Sequence, residues 1–423
     1  MPITQQELAR RLRAAREACH LTQEDVARHL GVSRPTIAQI ELGNRAVSSL
    51  ELNTLAYLYG RDIRELLADE FREEDALVAL FRLHPEVSEQ EDIQAALRQS
   101  MALGREITNL ERLLEIERDR PPLPVYPLRP PQSRWQAVQQ GEQAAAEERR
   151  RLDLGNAPLS DLTELLESQG VRTAQLPLPD DVSGLTLFDP EIGPFVVVNN
   201  RAPGHSRLRR RFAYAHEYCH VLLDRERKGA ISRTSERNTL FEVRANAFAA
   251  AFLMPGSGVQ EFVHRLGKGR ASRLQADVFD EEAAQRVQAR PEPGSQAIQV
   301  HDVVLLAHHF GVSRLATLYR LKNLGFLTQP ELETLKQQEE EGFGKHLATL
   351  LDLPEPDAEA ARNEFRHRFL ALALEAFRRH EITRSKLSEL AEMVGVSPGE
   401  LDHVLSRAGL APRKGDEDPP PGK

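Results

Sequence analysis

Residues 121–131, PPLPVYPLRPP, place six prolines in eleven positions. Each proline fixes its own φ and brings no backbone N–H, so the stretch can be neither a helix nor a central strand. It predicts a stiff linker over 121–134, and a chain of 423 residues needs such a division because it is too long for one core. Before the linker the apolar pattern is helical throughout. After it the pattern is mixed: GLTLF (184–188) and PFVVVNN (194–200) are short β-branched or aromatic runs bounded by Pro, Gly, Asp and Asn, which read as strands. From about residue 300 the helical period returns. The expected fold is multidomain and mostly α with a small α+β part. An all-α domain covers 1–68, a helical connector or dimerisation segment 69–120, a mixed α+β domain 150–327 and a helical region 328–412. The polar, proline-rich tail RKGDEDPPPGK (413–423) is expected to be disordered.

Composition narrows the function classes. No stretch approaches 18 apolar residues and the opening MPITQQELARRL has no apolar signal core, which points to a soluble cytoplasmic protein with no membrane partner. Cys19 and Cys219 lie 200 residues apart and build no disulfide framework. The net charge of −9 argues against coating of nucleic acid by the whole chain, but the charge is uneven. Residues 1–68 carry nine Arg against eight acids, and 69–120 carry fourteen acids against seven Arg. Any DNA contact therefore belongs to the first segment.

LTQEDVARHLGVSRPTIAQIELGNR (21–45) divides into two short helices. Thr22 caps the first, with Asp25 in the acidic place of a capping box. Gly31 makes the left-handed turn, Ser33 caps the second helix, and Pro35 falls in its first turn, where a missing N–H breaks no helical bond. Ile37 and Ile40 face inward, leaving Arg34, Pro35, Thr36 and Gln39 outward, the positions from which a recognition helix reaches base edges. The stretch resembles the phage-repressor (Cro/XRE) helix-turn-helix over residues 4–68. The resemblance implies base and backbone contacts from Gln23, Ser33, Arg34, Thr36 and Gln39, with Asn44 and Arg45 near phosphate. It also implies a double-stranded DNA operator as partner, usually bound by a dimer on two half-sites. Ile93, Ala96, Ser100, Leu103, Ile107, Leu110 and Leu114 keep 3- and 4-residue spacing, so 91–118 either pairs two chains in a homodimer or packs within one.

FAYAHEYCHVLL (212–223) sets His216 and His220 one helical turn apart, able to converge on one ion, with Glu217 beside them to take a proton from water. A catalytic zinc site needs a third protein ligand. The helix FEVRANAFAAAFLMP (241–255) supplies a candidate in Glu242, and Asn246 on the same face could hold a ligand by hydrogen bonding. RRRFAYAHEYCHVLLDR followed by EVRANAFAAAFLMP resembles the ImmA/IrrE family of zinc peptidases, a resemblance that FGVSRLATLYRLKNLGFL (310–327) extends to about 150–327. It implies a zincin-like α+β peptidase domain in which His216, His220 and Glu242 bind Zn2+ and Glu217 is the general base. Cys219 stands where the family usually has glycine; it either packs nearby, narrows the cleft or makes it sensitive to oxidation. Tyr214, Tyr218, His205, His264 and His301 are the candidates for oxyanion donor, and FVVVNN is either an edge for a peptide or a central strand.

The whole resembles bacterial transcription regulators that fuse a repressor-like domain to an ImmA/IrrE domain. The expected function is a DNA-binding regulator with a zinc-dependent endopeptidase that cleaves a repressor or itself. The alternative is a DNA-binding sensor or antitoxin whose peptidase-like domain binds a ligand or partner without cutting.

Overall fold

A computed structural model describes residues 3–19, 21–61, 63–68, 71, 90–116, 122–189, 192–201, 207–227, 229–268, 274–279, 284–289, 296–353 and 358–407. The tail at 413–423, most of 69–90 and His205 lie outside them. The architecture is mostly helical with a small mixed sheet.

Five helices form the N-terminal domain: α1 (Gln5–Ala18), α2 (Gln23–Leu30), α3 (Arg34–Glu41), α4 (Ser49–Leu58) and α5 (Ile63–Leu67). Their core is Leu12, Val26, Ile37, Ile40, Leu55, Tyr59 and Leu66. The Thr22–Asp25 capping box starts α2, and Gly31 ends it at φ 67°. A buried ion pair, Arg16 Nε to Glu41 Oε1 at 2.6 Å, ties α1 to α3.

Next come α6 (Glu91–Leu113), α7 (Arg134–Arg151) and α8 (Leu162–Ser168). The α6 seam turns into its own chain: Ile93, Ala96, Leu103, Ile107, Leu110 and Leu114 are buried in one core with the sheet and the last helices. The proline linker lies against α7, where the Tyr126 hydroxyl donates to Glu148 Oε2 at 2.6 Å.

The sheet contains β1 (Arg172–Leu176), β2 (Val182–Asp189), β3 (Gly193–Asn199) and β4 (Gly229–Arg233) in the order β1-β3-β2-β4. β3 runs parallel to β1 and antiparallel to β2, and β2 antiparallel to β4. The valine run is thus a central strand. Val196 and Val198 face one core with α9 (Arg207–Leu223) and α10 (Leu240–Leu253); Phe195 and Val197 face the α6 core. Burial on both faces explains a continuous apolar run where a half-exposed strand would alternate.

α7 packs along α10 so closely that a Cβ on Gly141 would lie 2.4 Å from the Arg244 carbonyl oxygen; only glycine fits there. After α11 (Gly256–Arg265) and a hairpin of β5 (Leu274–Phe279) and β6 (Ala284–Ala289), the chain continues as α12 (Val300–Phe310), α13 (Arg314–Asn323), α14 (Gln329–Glu340) and α15 (Phe343–Leu350). It ends in α16 (Ala358–Arg378), α17 (Arg384–Met393) and α18 (Pro398–Arg407). The region after 327 divides between cores: Leu332 and Leu335 join the α9–α10 side, while Phe369, Leu387, Leu390 and Leu401 join α6 on the other.

Candidate metal centre and recognition surface

α9 carries His216 and His220 on the face turned to α10, and their Nε2 atoms lie 3.3 Å apart. Glu242, in the first turn of α10, sets Oε2 3.1 Å from His216 Nε2 and Oε1 3.3 Å from His220 Nε2. One donor atom from each of the three lies within 4.8 Å of the others, the only such metal-ligating group among the described residues. His220 is fully buried, and His216 and Glu242 are only 6% and 7% exposed.

Each imidazole is braced from behind. His216 Nδ1 lies 3.1 Å from Asn246 Oδ1, and His220 Nδ1 lies 2.7 Å from Asp224 Oδ2. The oxygens at Nδ1 assign the ring proton to that nitrogen, which leaves both Nε2 lone pairs turned inward, as ligation requires. Asp224 is itself held by the buried Arg244 guanidinium, which reaches Gln140 on α7 at 3.5 Å. Burial opposes the charged form of His220, but Asp224 and Glu242 outweigh it and raise the His220 pKa to about 10. Burial likewise opposes the Glu242 carboxylate, yet the two histidines hold its pKa far below the usual range. The pocket thus favours positive charge at the point where the three donors meet, and the donor set fits a metal ion.

Glu217 points from α9 toward the sheet. It is fully buried; Thr186 on β2 donates to its Oε2 at 2.7 Å, and its Oε1 has no protein hydrogen-bond partner. A Cβ on Gly184, also on β2, would lie 2.8 Å from that Oε1, so any larger residue there would displace the carboxylate. Burial pushes the Glu217 pKa up, which suits a group that must accept a proton near neutrality.

Cys219 packs in the α9–α10 core; it is fully buried, and burial drives its thiol pKa well above the ordinary value. Neither tyrosine candidate turns its hydroxyl to the site: Tyr214 donates to the Ala174 carbonyl at 3.1 Å and Tyr218 to Glu148 Oε1 at 2.5 Å. His264 lies on α11, and His301, on α12, pairs with Asp302 at 3.2 Å. Sequence reasoning missed Asp224, Arg244, Thr186 and Gly184. Only Asp224 left a signal, four residues after His220 on the same helical face.

Two family models match the chain: a helix-turn-helix domain over 7–69 and an IrrE N-terminal-like domain over 166–322. This chain joins a helix-turn-helix domain to an ImmA/IrrE-type domain. No curated protein matches it. The ImmA/IrrE-type match spans the sheet and all three donors, from α8 to α13.

In the helix-turn-helix domain Arg34, Pro35, Gln39, Asn44 and Arg45 are exposed, while Thr36 and Gln23 are half-buried. The surface is organised from within. Gln23 donates to the buried Glu41 at 2.9 Å, Asn44 donates to Gln39 Oε1 at 3.0 Å, and Arg45 pairs with Glu51 at 2.8 Å. Ser33 makes no side-chain cap to α3; its hydroxyl meets that of Thr36 at 2.9 Å. No helix among the described residues is long and apolar enough to cross a membrane.

Proposed function

We propose that the chain is a transcriptional regulator whose ImmA/IrrE-type domain is a zinc-dependent endopeptidase acting on a repressor or on itself. The observation that carries this reading is the convergence of His216, His220 and Glu242 beside a buried carboxylate, Glu217. His216 and His220 through Nε2, and Glu242 through its carboxylate, would hold the zinc ion. Such an ion acidifies water and polarises a scissile carbonyl. Glu217 takes the proton from the attacking water and returns it to the leaving nitrogen. Thr186 fixes one Glu217 oxygen and leaves the other free for that transfer, and Gly184 leaves it room. Asn246 and Asp224 keep both rings in the ligating tautomer.

Arg34 and Gln39 read base edges in the major groove of an operator, toward guanine and adenine respectively, with Asn44 and Arg45 set against phosphate. The proposed boundaries are 1–68 for DNA reading and 150–327 for the peptidase. The α6 seam is covered by its own chain, so a homodimer on two half-sites would use another surface. The deciding experiment incubates zinc-loaded protein with helix-turn-helix repressors encoded beside it, next to a Glu217→Gln control. Cleavage by the native protein alone supports the reading; no cleavage of any repressor or of itself overturns it.

One observation favours a second reading, a sensor that does not cut: the donors are nearly closed off from solvent, while a large open cleft lies elsewhere. Operator binding that responds to a ligand, with no cleavage under any condition, would select it.

A further inference from the structure

A cleft of about 840 Å³ opens where three parts of the chain meet. α4 and α5 of the helix-turn-helix domain form one wall, α6 forms the floor, and α17 forms the far wall. Its volume is that of a small-molecule site. None of its lining residues belongs to the metal centre or to the recognition helix.

The lining is cationic. Arg61, Arg64, Arg105, Arg112 and Lys386 stand against Glu106, Glu389 and Glu392. Lys386 is already paired with Glu106 at 2.8 Å and Glu389 at 3.1 Å. Of the guanidiniums, Arg64 donates to Asn109 at 2.5 Å, and Arg105 and Arg112 are the two that stand on the floor, α6.

Arg105 is the most telling of them. It is 6% exposed; one Nη donates to the Gly60 carbonyl and the other pairs with Glu65 at 3.5 Å. Its Nε is buried with no hydrogen-bond partner. A buried cation so incompletely satisfied costs free energy until an anion completes it. Arg112 lies seven residues on, two turns along the same face of α6, and is exposed. Between and around them the wall is apolar, with Tyr57, Ile63, Leu110, Leu113, Leu390 and Met393.

We infer that this cleft binds an amphiphilic small-molecule anion, its carboxylate or phosphate drawn to the guanidiniums of Arg105 and Arg112 and its apolar part lying between α4, α6 and α17. A guanidinium fork matches either oxyanion. Because one wall belongs to the helix-turn-helix domain and the rest to the body of the chain, the ligand contacts both at once. Its binding favours one docking of the domain over others, and operator affinity and ligand affinity change by the same factor. The site itself does not depend on the peptidase reading; only its coupling to the operator rests on the proposed DNA binding.

The test is calorimetric titration of the full chain with decanoate, decyl phosphate and decanol, each below its micellar or solubility limit. We expect saturable one-to-one binding of at least one anion, and the anion that binds tells carboxylate from phosphate. Decanol should bind at least roughly tenfold more weakly, as the loss of a charge-assisted contact predicts. Arg105→Gln should weaken anion binding, but it also removes the bond to Gly60. Two milder variants carry the decision: Arg112→Ala on the exposed rim and Ala102→Trp, which fills the floor, both checked for native melting. Saturable anion binding that both variants weaken supports the inference. Absence of saturable binding by both anions, equal binding of decanol, or binding untouched by both variants overturns it. A ligand that binds as expected but leaves operator affinity unchanged removes the coupling and leaves the site.

Discussion

Arg34, Gln39 and Asn44 stand in water and come from a single run of 25 residues, whereas His216, His220 and Glu242 are almost closed off and come from two helices. At the candidate recognition surface the supporting bonds are short-range: Asn44 braces Gln39, and Gln23 rests on Glu41. At the candidate metal centre the support reaches across the fold, from His220 through Asp224 and Arg244 to Gln140, and from Glu217 to β2. A surface reader can lose a side chain and keep its fold. A buried centre cannot lose a charge without leaving its partner unpaired, so function and stability are coupled there.

The largest effect expected is on cleavage. Glu217→Gln keeps the shape and the bond from Thr186 while removing the base, and should lower the rate by about 10²–10⁴-fold. Zinc content by elemental analysis and operator affinity should be unchanged. Loss of zinc in this variant would make Glu217 a ligand and undo the division of roles.

Arg34→Ala with Gln39→Ala removes two outward contacts worth about 1–3 kcal/mol each, so operator affinity should fall by roughly tenfold or more for each. Zinc content and melting temperature should stay as they were, because neither residue carries structure. A drop in melting temperature comparable to that at the metal centre would erase the contrast between the regions.

Asp224→Asn tests the support behind the buried site. It keeps an oxygen for His220 but leaves Arg244 without its carboxylate, and should weaken zinc about 10- to 100-fold in a competition titration. Gly184→Ala sharpens the same point from the other side. It should displace Glu217 and reduce cleavage while zinc affinity holds.

These differences explain what was legible in the sequence. The turn in HLGVS recurs in HFGVS and MVGVS, and each time Gly adopts positive φ, 67°, 63° and 73° at Gly31, Gly311 and Gly395. Each following Val N–H bonds to the carbonyl of an Ala five residues back. A turn whose bonds are all local can be read locally. What its second helix faces cannot. α3 presents Arg34 and Gln39 to water, whereas α13 buries Thr317, Leu318, Arg320 and Leu321. The strands in GLTLF and PFVVVNN were readable from β-branched runs, but β4 was not, since GAISR sits inside a polar stretch and is a strand because β2 pairs with it. α6 was ambiguous because an apolar stripe records that a face is covered and not by what. Arg244 and Gly184 left no trace, since each matters only through a neighbour distant in sequence.

The remaining effect concerns pH, and it separates the buried centre from the surface in one experiment. Asp224 and Glu242 raise the His220 pKa from 6.5 to about 10 in the metal-free centre. A folded-state pKa above the unfolded one adds stability that is complete below about pH 6.5 and is lost as pH rises through about 10. Chelator-treated protein should therefore lose melting temperature from pH 7 to pH 10. Zinc binding runs the other way, because the ion takes the place of the proton at Nε2, so zinc affinity should rise over the same range. The two curves should diverge as pH increases, and Asp224→Asn, which removes part of what raises the pKa, should bring them closer. Arg34→Ala should leave both untouched. A chelated protein that gains stability between pH 7 and pH 10 would mean that His220 is held neutral by its burial, and that the carboxylates behind it do not set its charge.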